Sequence, residues 1–194
     1  MKKSTIYALL SILSVVSVTG CSLSAEPAAT IAPVQRPAAV VNILDDYAML
    51  AGHTLYKSSD GAYSIQLPEG STIDDSDPNN ITIAITGEYP SPDFINITYS
   101  HDAQVIDNEV KLMDMLKDDN SIDITGFFIL KNTGAYEGYK YTYTAMSNSD
   151  LKGIKSTYFS ADGSAYIVTA TINNADEINT TNINTVVDTF INYR

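Results

Sequence analysis

Thr54-Leu55-Tyr56-Lys57-Ser58-Ser59-Asp60-Gly61-Ala62-Tyr63-Ser64-Ile65-Gln66-Leu67-Pro68-Glu69-Gly70 reads as a β-hairpin. Asp60-Gly61 sits between two short runs of alternating apolar residues, and Gly supplies the positive φ that a tight hairpin turn requires. On the returning arm Tyr63, Ile65 and Leu67 share one face and Ser64 and Gln66 the other. Pro68-Glu69-Gly70 stops the strand.

The chain downstream keeps to the same two-residue period. Ile81 to Thr86 alternates cleanly, and Phe94 to Tyr99 follows with Ile95, Ile97 and Tyr99 on one side. Gly87-Glu88-Tyr89-Pro90-Ser91-Pro92 connects these two strands. Strands are also expected at Ile122–Leu130, Gly138–Ala145, Gly153–Ser160 and Ser164–Ile172. Turns at Asn132-Thr133-Gly134 and Ala161-Asp162-Gly163 and a loop at Ser147–Asp150 separate them. Thirteen Tyr and five Phe with no Trp, among many Ile, Thr and Val, favour this strand-rich reading.

Three segments read as helix. Ile43–Leu50 is a short one ended by Gly52. Asp107-Asn108-Glu109 opens another that runs to about Lys117, with Asp107 as N-cap and a stripe of Leu112, Met113, Met115 and Leu116. The terminal helix takes Asn179 as its cap, or Asn174 with Glu177 three residues on. Its Ile183, Val186, Val187, Phe190 and Ile191 recur with the spacing of one buried face. The order of elements predicts an α+β domain: a curved antiparallel β-sheet flanked by helices.

The N-terminus carries a different signal. Lys2 and Lys3 precede an apolar run from Ile6 to Val18, and Val18-Thr19-Gly20 brings small residues up to Cys21, the only cysteine. The run is shorter than the roughly 20 residues that span a bilayer. This segment resembles a bacterial lipoprotein signal, which implies cleavage before Cys21 and lipidation of its sulfur. A single cysteine in an exported domain allows no internal disulfide, so the domain must rely on its own core. The expected organisation is therefore residues 1–20 as signal peptide, 21–42 as a lipidated Ala/Pro/Ser-rich linker, and 43–194 as one domain. The expected location is the cell envelope, outside the cytoplasm, with the chain held to a bacterial membrane through Cys21.

Loss of Lys2 and Lys3 with the signal, and of no acid, takes the formal charge from −12 to −14. Such a surface is repelled by phosphate backbones, which argues against nucleic-acid binding, and by anionic lipid heads.

The stretch Tyr56 to Gly70, with its Asp-Gly and Tyr-Ser-Ile-x-Leu-Pro-x-Gly, resembles the opening of PsbP-like domains. So does Asp162-Gly163-Ser164-Ala165-Tyr166-Ile167-Val168-Thr169-Ala170 followed by a helix with a terminal Phe, and Gly138-Tyr139-x-Tyr141 fits the strand between. The resemblance spans Leu55 to Tyr193 and implies an α/β/α sandwich. It also implies an adaptor or binding module rather than an enzyme. The family includes an extrinsic photosystem II subunit, a Ran-binding nuclear-transport factor and many bacterial lipoproteins. Ser71 stands where an aromatic residue often follows the Pro-x-Gly turn, and no residues here match photosystem-contacting or Ran-contacting positions.

Candidate chemistry is sparse. His53 and His101 are far apart and in no metal-ligand spacing. Asp75, Asp77 and Asn79 imitate half of a calcium loop, but Asn80 replaces its glycine and Thr86 its bidentate Glu, so a solvated turn is the simpler reading. Asp118, Asp119 and Asp123 read as a charged turn. There is no Gly-x-Ser-x-Gly elbow and no Gly-rich phosphate loop. No metal or cofactor is expected. Tyr139, Tyr141 and Tyr143 fall on one strand face. If exposed they form a binding face, together with Tyr89; otherwise they pack under a helix. The functional expectation is a membrane-anchored, non-enzymatic adaptor lipoprotein docking on an envelope protein. The alternative is a carrier or sensor of a small ligand or metal ion.

Overall fold

A computed structural model describes residues 39–42, 48–86, 93–132, 135–173 and 176–194, all within the unit Gln35–Arg194. The described strands are β1 (Ala39–Asn42), β2 (His53–Lys57), β3 (Tyr63–Pro68), β4 (Thr72–Asp74), β5 (Asn80–Thr86), β6 (Asp93–Ser100), β7 (Ile122–Asn132), β8 (Ala135–Ala145), β9 (Asn148–Phe159), β10 (Ala165–Ile172) and β11 (Ile191–Asn192). The helices are α1 (Glu109–Met115) and α2 (Glu177–Asp188). Among these residues no helix is long and apolar enough to cross a membrane.

The hairpin forms as read. β2 pairs antiparallel with β3, and Gly61 takes φ +70° in the turn. The short β11 adds to the other side of β3, giving a three-stranded sheet in the order β11-β3-β2. The remaining strands make one eight-stranded sheet in the order β1-β7-β8-β9-β10-β6-β5-β4. The architecture is thus mostly antiparallel sheet with two short helices, and the picture of one curved antiparallel sheet flanked by helices fits it only roughly. Two features depart from it: the second sheet, and β1, which pairs parallel with β7 at the sheet edge. β1 also takes the last four residues of the stretch read as linker, where the Ala/Pro/Ser composition hides a strand that its neighbour β7 makes possible.

The larger core lies on one face of the eight-stranded sheet. Alternate residues of β10, β6 and β5, among them Val168, Ile97 and Ile83, meet the stripe of α2 and the inner face of β3. Ile183, Val186, Val187 and Phe190 are fully buried there, each contributing about 2 kcal/mol by removal from water. Phe190 stacks on Tyr63 at 5.1 Å and lies 4.7 Å from Tyr158, which locks the end of the helix to both sheets. Ser64 and Gln66, read as an outer face, are also buried. The Gln66 side chain accepts from the Leu50 amide at 2.8 Å, and the Gln66 backbone amide donates to Thr189 Oγ1 at 2.9 Å.

Several boundaries move. The cap of α2 is Asp176, which accepts from the Asn179 amide at 2.7 Å, so Asn179 does not serve, and Asn174 lies outside the described residues. The cap of α1 is Asn108, whose Oδ1 accepts from the Lys111 amide at 3.0 Å, one residue later than Asp107. The loop read at Ser147–Asp150 shrinks to a turn, because β9 begins at Asn148. β4 has three residues, too few for a periodic signal. The helix read at Ile43–Leu50 lies partly outside the described residues, and Ala48 to Leu50 are not helical.

Candidate functional site

The second core lies on the opposite face of the eight-stranded sheet, beneath α1. Ile122 and Ile124 precede a register shift in the β7–β8 ladder, and Phe127 and Ile129 follow it. The extra residue re-phases the alternation, so both pairs turn to the same side. There they join Tyr139 and Tyr141 of β8, and Ile106 and Leu112 close over them.

The tyrosine stripe is consequently the floor of this core. Tyr139 and Tyr141 are 4% and 3% exposed, so they do not form an open aromatic face. Tyr143 is half-buried, and its ring covers the α-carbon of Gly153 in β9, where an added Cβ would stand 2.1 Å from Cζ. Tyr89, the fourth residue proposed for a binding face, lies outside the described residues, as does Cys21.

The cover is thin. Of the side chains on α1 only Leu112 is buried. Met113 and Met115, read as part of the buried stripe, are exposed, as are Val105 and Val110 at 55% and 48%. The reason was available in the spacing. Residues two apart on a helix lie on different flanks, so Met113 and Met115 cannot both face a core that Leu112 and Leu116 already face. Val105, Ile106 and Met115 line an open depression of about 530 Å³ together with Gln104, Lys111 and Asp114. The trailing turn is tied down by Asp119 N donating to Leu116 O at 2.8 Å and by Met146 N donating to Ser121 O at 2.8 Å. Met146, 67% exposed, therefore sits beside the turn that follows α1.

The electrostatics follow from this packing. Burial raises the pKa of Tyr139, Tyr141 and Tyr143, with the neighbouring phenols adding to the effect at Tyr141 and the charge of Asp119 at Tyr143. Lys155 pairs in register with Tyr141, and burial lowers its pKa while the charge of Asp119 opposes the shift. Asp119 itself is held below the usual carboxylate range, first by the Ser121 hydroxyl and then by the Ser121 amide, which donates at 2.9 Å. Lys155 was not singled out in the sequence, because a lone lysine in a strand gives no signal of its own.

The remaining candidates are engaged locally. Asp74 accepts from the Ser76 amide and hydroxyl, Asp75 from the Tyr56 hydroxyl at 3.2 Å, and Asp77 from the Asn79 amide at 2.9 Å. Among the described residues no group of three or more His, Cys, Asp or Glu could hold a metal ion. His53 Nδ1 lies 2.9 Å from the Ala51 carbonyl, and His101 packs edge-on to Tyr99 at 4.8 Å. A second open cleft, about 420 Å³, runs between α2 and the base of the hairpin, lined by Leu50, His53, Pro68, Ile85, Ile183 and Val186 among others. Its lining holds no carboxylate.

No family model matches the sequence, and no curated protein matches it. Solved structures do match in fold. The solution structure of the cyanobacterial PsbP protein CyanoP from Synechocystis aligns with a TM-score of 0.51 at 14% identity, covering 74% of this chain and 94% of that one. The Saccharomyces cerevisiae Ran-binding protein Mog1p aligns at 0.45 and 6% identity, covering 72% and 94%. The fold is PsbP-like.

Proposed function

We propose that the chain is a bacterial lipoprotein, anchored through Cys21, whose PsbP-like domain is a non-enzymatic interaction module that docks on an envelope protein through the α1 side. The observation that carries this reading is a surface helix that buries one side chain and leaves Val110, Met113 and Met115 exposed, with Val105 beside it. Exposed apolar side chains gathered on one element mark docking surfaces, and methionine is the residue that adapts most readily to a partner. The resemblance of Val18-Thr19-Gly20-Cys21 to a lipoprotein signal supports the anchor. The buried stripe of α2, Ile183, Val186 and Val187, supplies stability instead.

The test is crosslinking in cells with the tagged full chain, followed by mass spectrometry. A Cys21→Ala form and a Val110→Asn/Met113→Gln form are carried in parallel, with labelled palmitate to report the anchor. The expected result is label on the natural chain and none on Cys21→Ala, and one envelope protein enriched by the natural chain and lost from the Val110/Met113 variant. Enrichment that survives in that variant would move docking away from α1, and a labelled Cys21→Ala form would remove the anchor.

A further inference from the structure

We infer that the partner segment recognised by the α1 side is a basic amphipathic one: apolar anchors for the depression beside Val105 and Met115, flanked by Lys or Arg. This rests on the docking reading above and adds the chemistry of the occupant.

Two features of the surface specify it. The first is shape. Val105, Ile106 and Met115 make the apolar part of the depression, and Gln104, Lys111 and Asp114 the polar part. A single aliphatic or aromatic side chain from a partner would complete the burial that the short helix leaves unfinished. Val110 and Met113, three residues apart on the other flank, extend the apolar surface across the helix.

The second is charge. Between residues 101 and 123 the chain carries seven acidic residues and two lysines, a net charge of −5. Both lysines are already paired: Lys111 with Asp107 at 2.9 Å and Lys117 with Asp114 at 3.4 Å. Asp118 and Asp119, in the turn that follows α1, are exposed as well. An acidic ligand, or a surface of anionic lipid, would meet repulsion here, whereas a cationic flank on either side of the apolar anchor meets attraction. An apolar centre with a charged rim is the usual anatomy of a specific interface, in which the centre gives most of the affinity and the rim the selectivity.

The experiment uses the full chain and three labelled peptides of equal length read by fluorescence anisotropy: an amphipathic Leu/Lys helix, a Ser/Lys peptide of the same charge, and a Leu/Glu helix. The Leu/Lys peptide is expected to bind saturably, and the other two at least about tenfold more weakly. Val105→Asn/Met115→Gln keeps the charge and should weaken the Leu/Lys peptide about tenfold with its salt dependence unchanged. Asp114→Asn/Asp118→Asn should weaken it with a shallower salt dependence. Ile178→Asn, which removes the most exposed large apolar side chain, on α2, should change nothing. A readout free of substitutions comes from methionine methyl resonances: those of Met113 and Met115 should shift on peptide addition while that of Met49 stays. Equal binding of the Ser/Lys peptide, or unmoved Met113 and Met115 methyls, would overturn the proposal. If the peptides fail while the crosslink in cells still depends on Val110 and Met113, docking stands and only this partner chemistry falls.

Discussion

Lys140 points from β8 into the side of the sheet that α2 covers, and its side chain is 3% exposed. Its Nζ lies 2.6 Å from Asp188 Oδ1 and 3.2 Å from Asn184 Oδ1, both on α2, and 5.2 Å from the centre of the Phe128 ring. The two charges are not equally placed, because the Asp188 side chain is 31% exposed. Removing either one should therefore have different consequences. Asp188→Ala strands an ammonium group that cannot reach water and should cost about 3 kcal/mol, with Asn184 and the Phe128 face limiting the loss. Lys140→Met keeps the apolar stem and removes the desolvated charge, while Asp188 can turn to solvent, so the change should stay within about 1 kcal/mol. The double variant should match Lys140→Met alone, because Asp188 has no buried charge left to answer. Urea unfolding measures all three, and the thermal midpoint should fall by roughly 6–12 °C for Asp188→Ala. If Lys140→Met were as damaging as Asp188→Ala, the pair would be a net source of stability and the asymmetry argued here would be wrong.

Two further outcomes are expected. Gly138→Ala places a Cβ 1.8 Å from the Thr157 carbonyl oxygen, a backbone atom that cannot swing aside; it should cost at least about 3 kcal/mol by urea midpoint and speed amide exchange along β8 and β9. Alkaline stability should follow the buried phenols, because burial raises the pKa of Tyr63, Tyr139 and Tyr141 in the folded chain. The unfolded chain then loses these protons first, so their contribution is present below about pH 10 and is lost as the pH rises above it. Lys155 has the opposite sign, since its lowered pKa makes unfolding take up a proton just below its ordinary value of about 10, a smaller effect from one group against several. Phenolate absorbance should appear together with loss of tertiary signal; phenolate absorbance rising fully while the fold persists would contradict the burial.

The legible parts of this fold are those where one period runs uninterrupted. The Asp60-Gly61 hairpin, the alternation of Ile81–Ile85 and the stripe Ile183, Val186, Val187 in α2 each state which face is buried, and the structure buries those faces. What was not legible depends on partners distant in sequence. β1 is a strand because β7 offers it an edge, and β11 because β3 does. The buried outer face of β3 needs Tyr193 and Thr189, whose groups meet Ser64 and Gln66 from more than a hundred residues away. The α1 stripe failed for a local reason. Four apolar residues within five positions looked like a core face, although the helix has room for only Leu112 and its neighbour Leu116 on that side.

That failure is informative about where function lies. α2 and the turn after it bury four large apolar side chains completely, worth about 8 kcal/mol, whereas α1 buries Leu112 alone, worth about 2. Local opening should therefore cost least on the α1 side, and surfaces that adapt to partners are drawn from the low-stability end of a domain. The sheet beneath changes character across its width in the same sense. In one row through β8, β9, β10, β6 and β5 stand Tyr141, Lys155, Thr169, Asn96 and Thr82, paired in register. The aromatic end needs a cover and has α1; the Thr/Asn end is half-buried, with Asn96 donating to Thr82 Oγ1 at 2.9 Å, and needs none. A helix kept over only the aromatic end, too short to bury its own methionines, covers the tyrosines on its inner side and leaves on its outer side the apolar surface that the docking proposal uses. The same Met113 and Met115 that weaken the periodic stripe as a prediction of core are what leave apolar surface exposed on the helix.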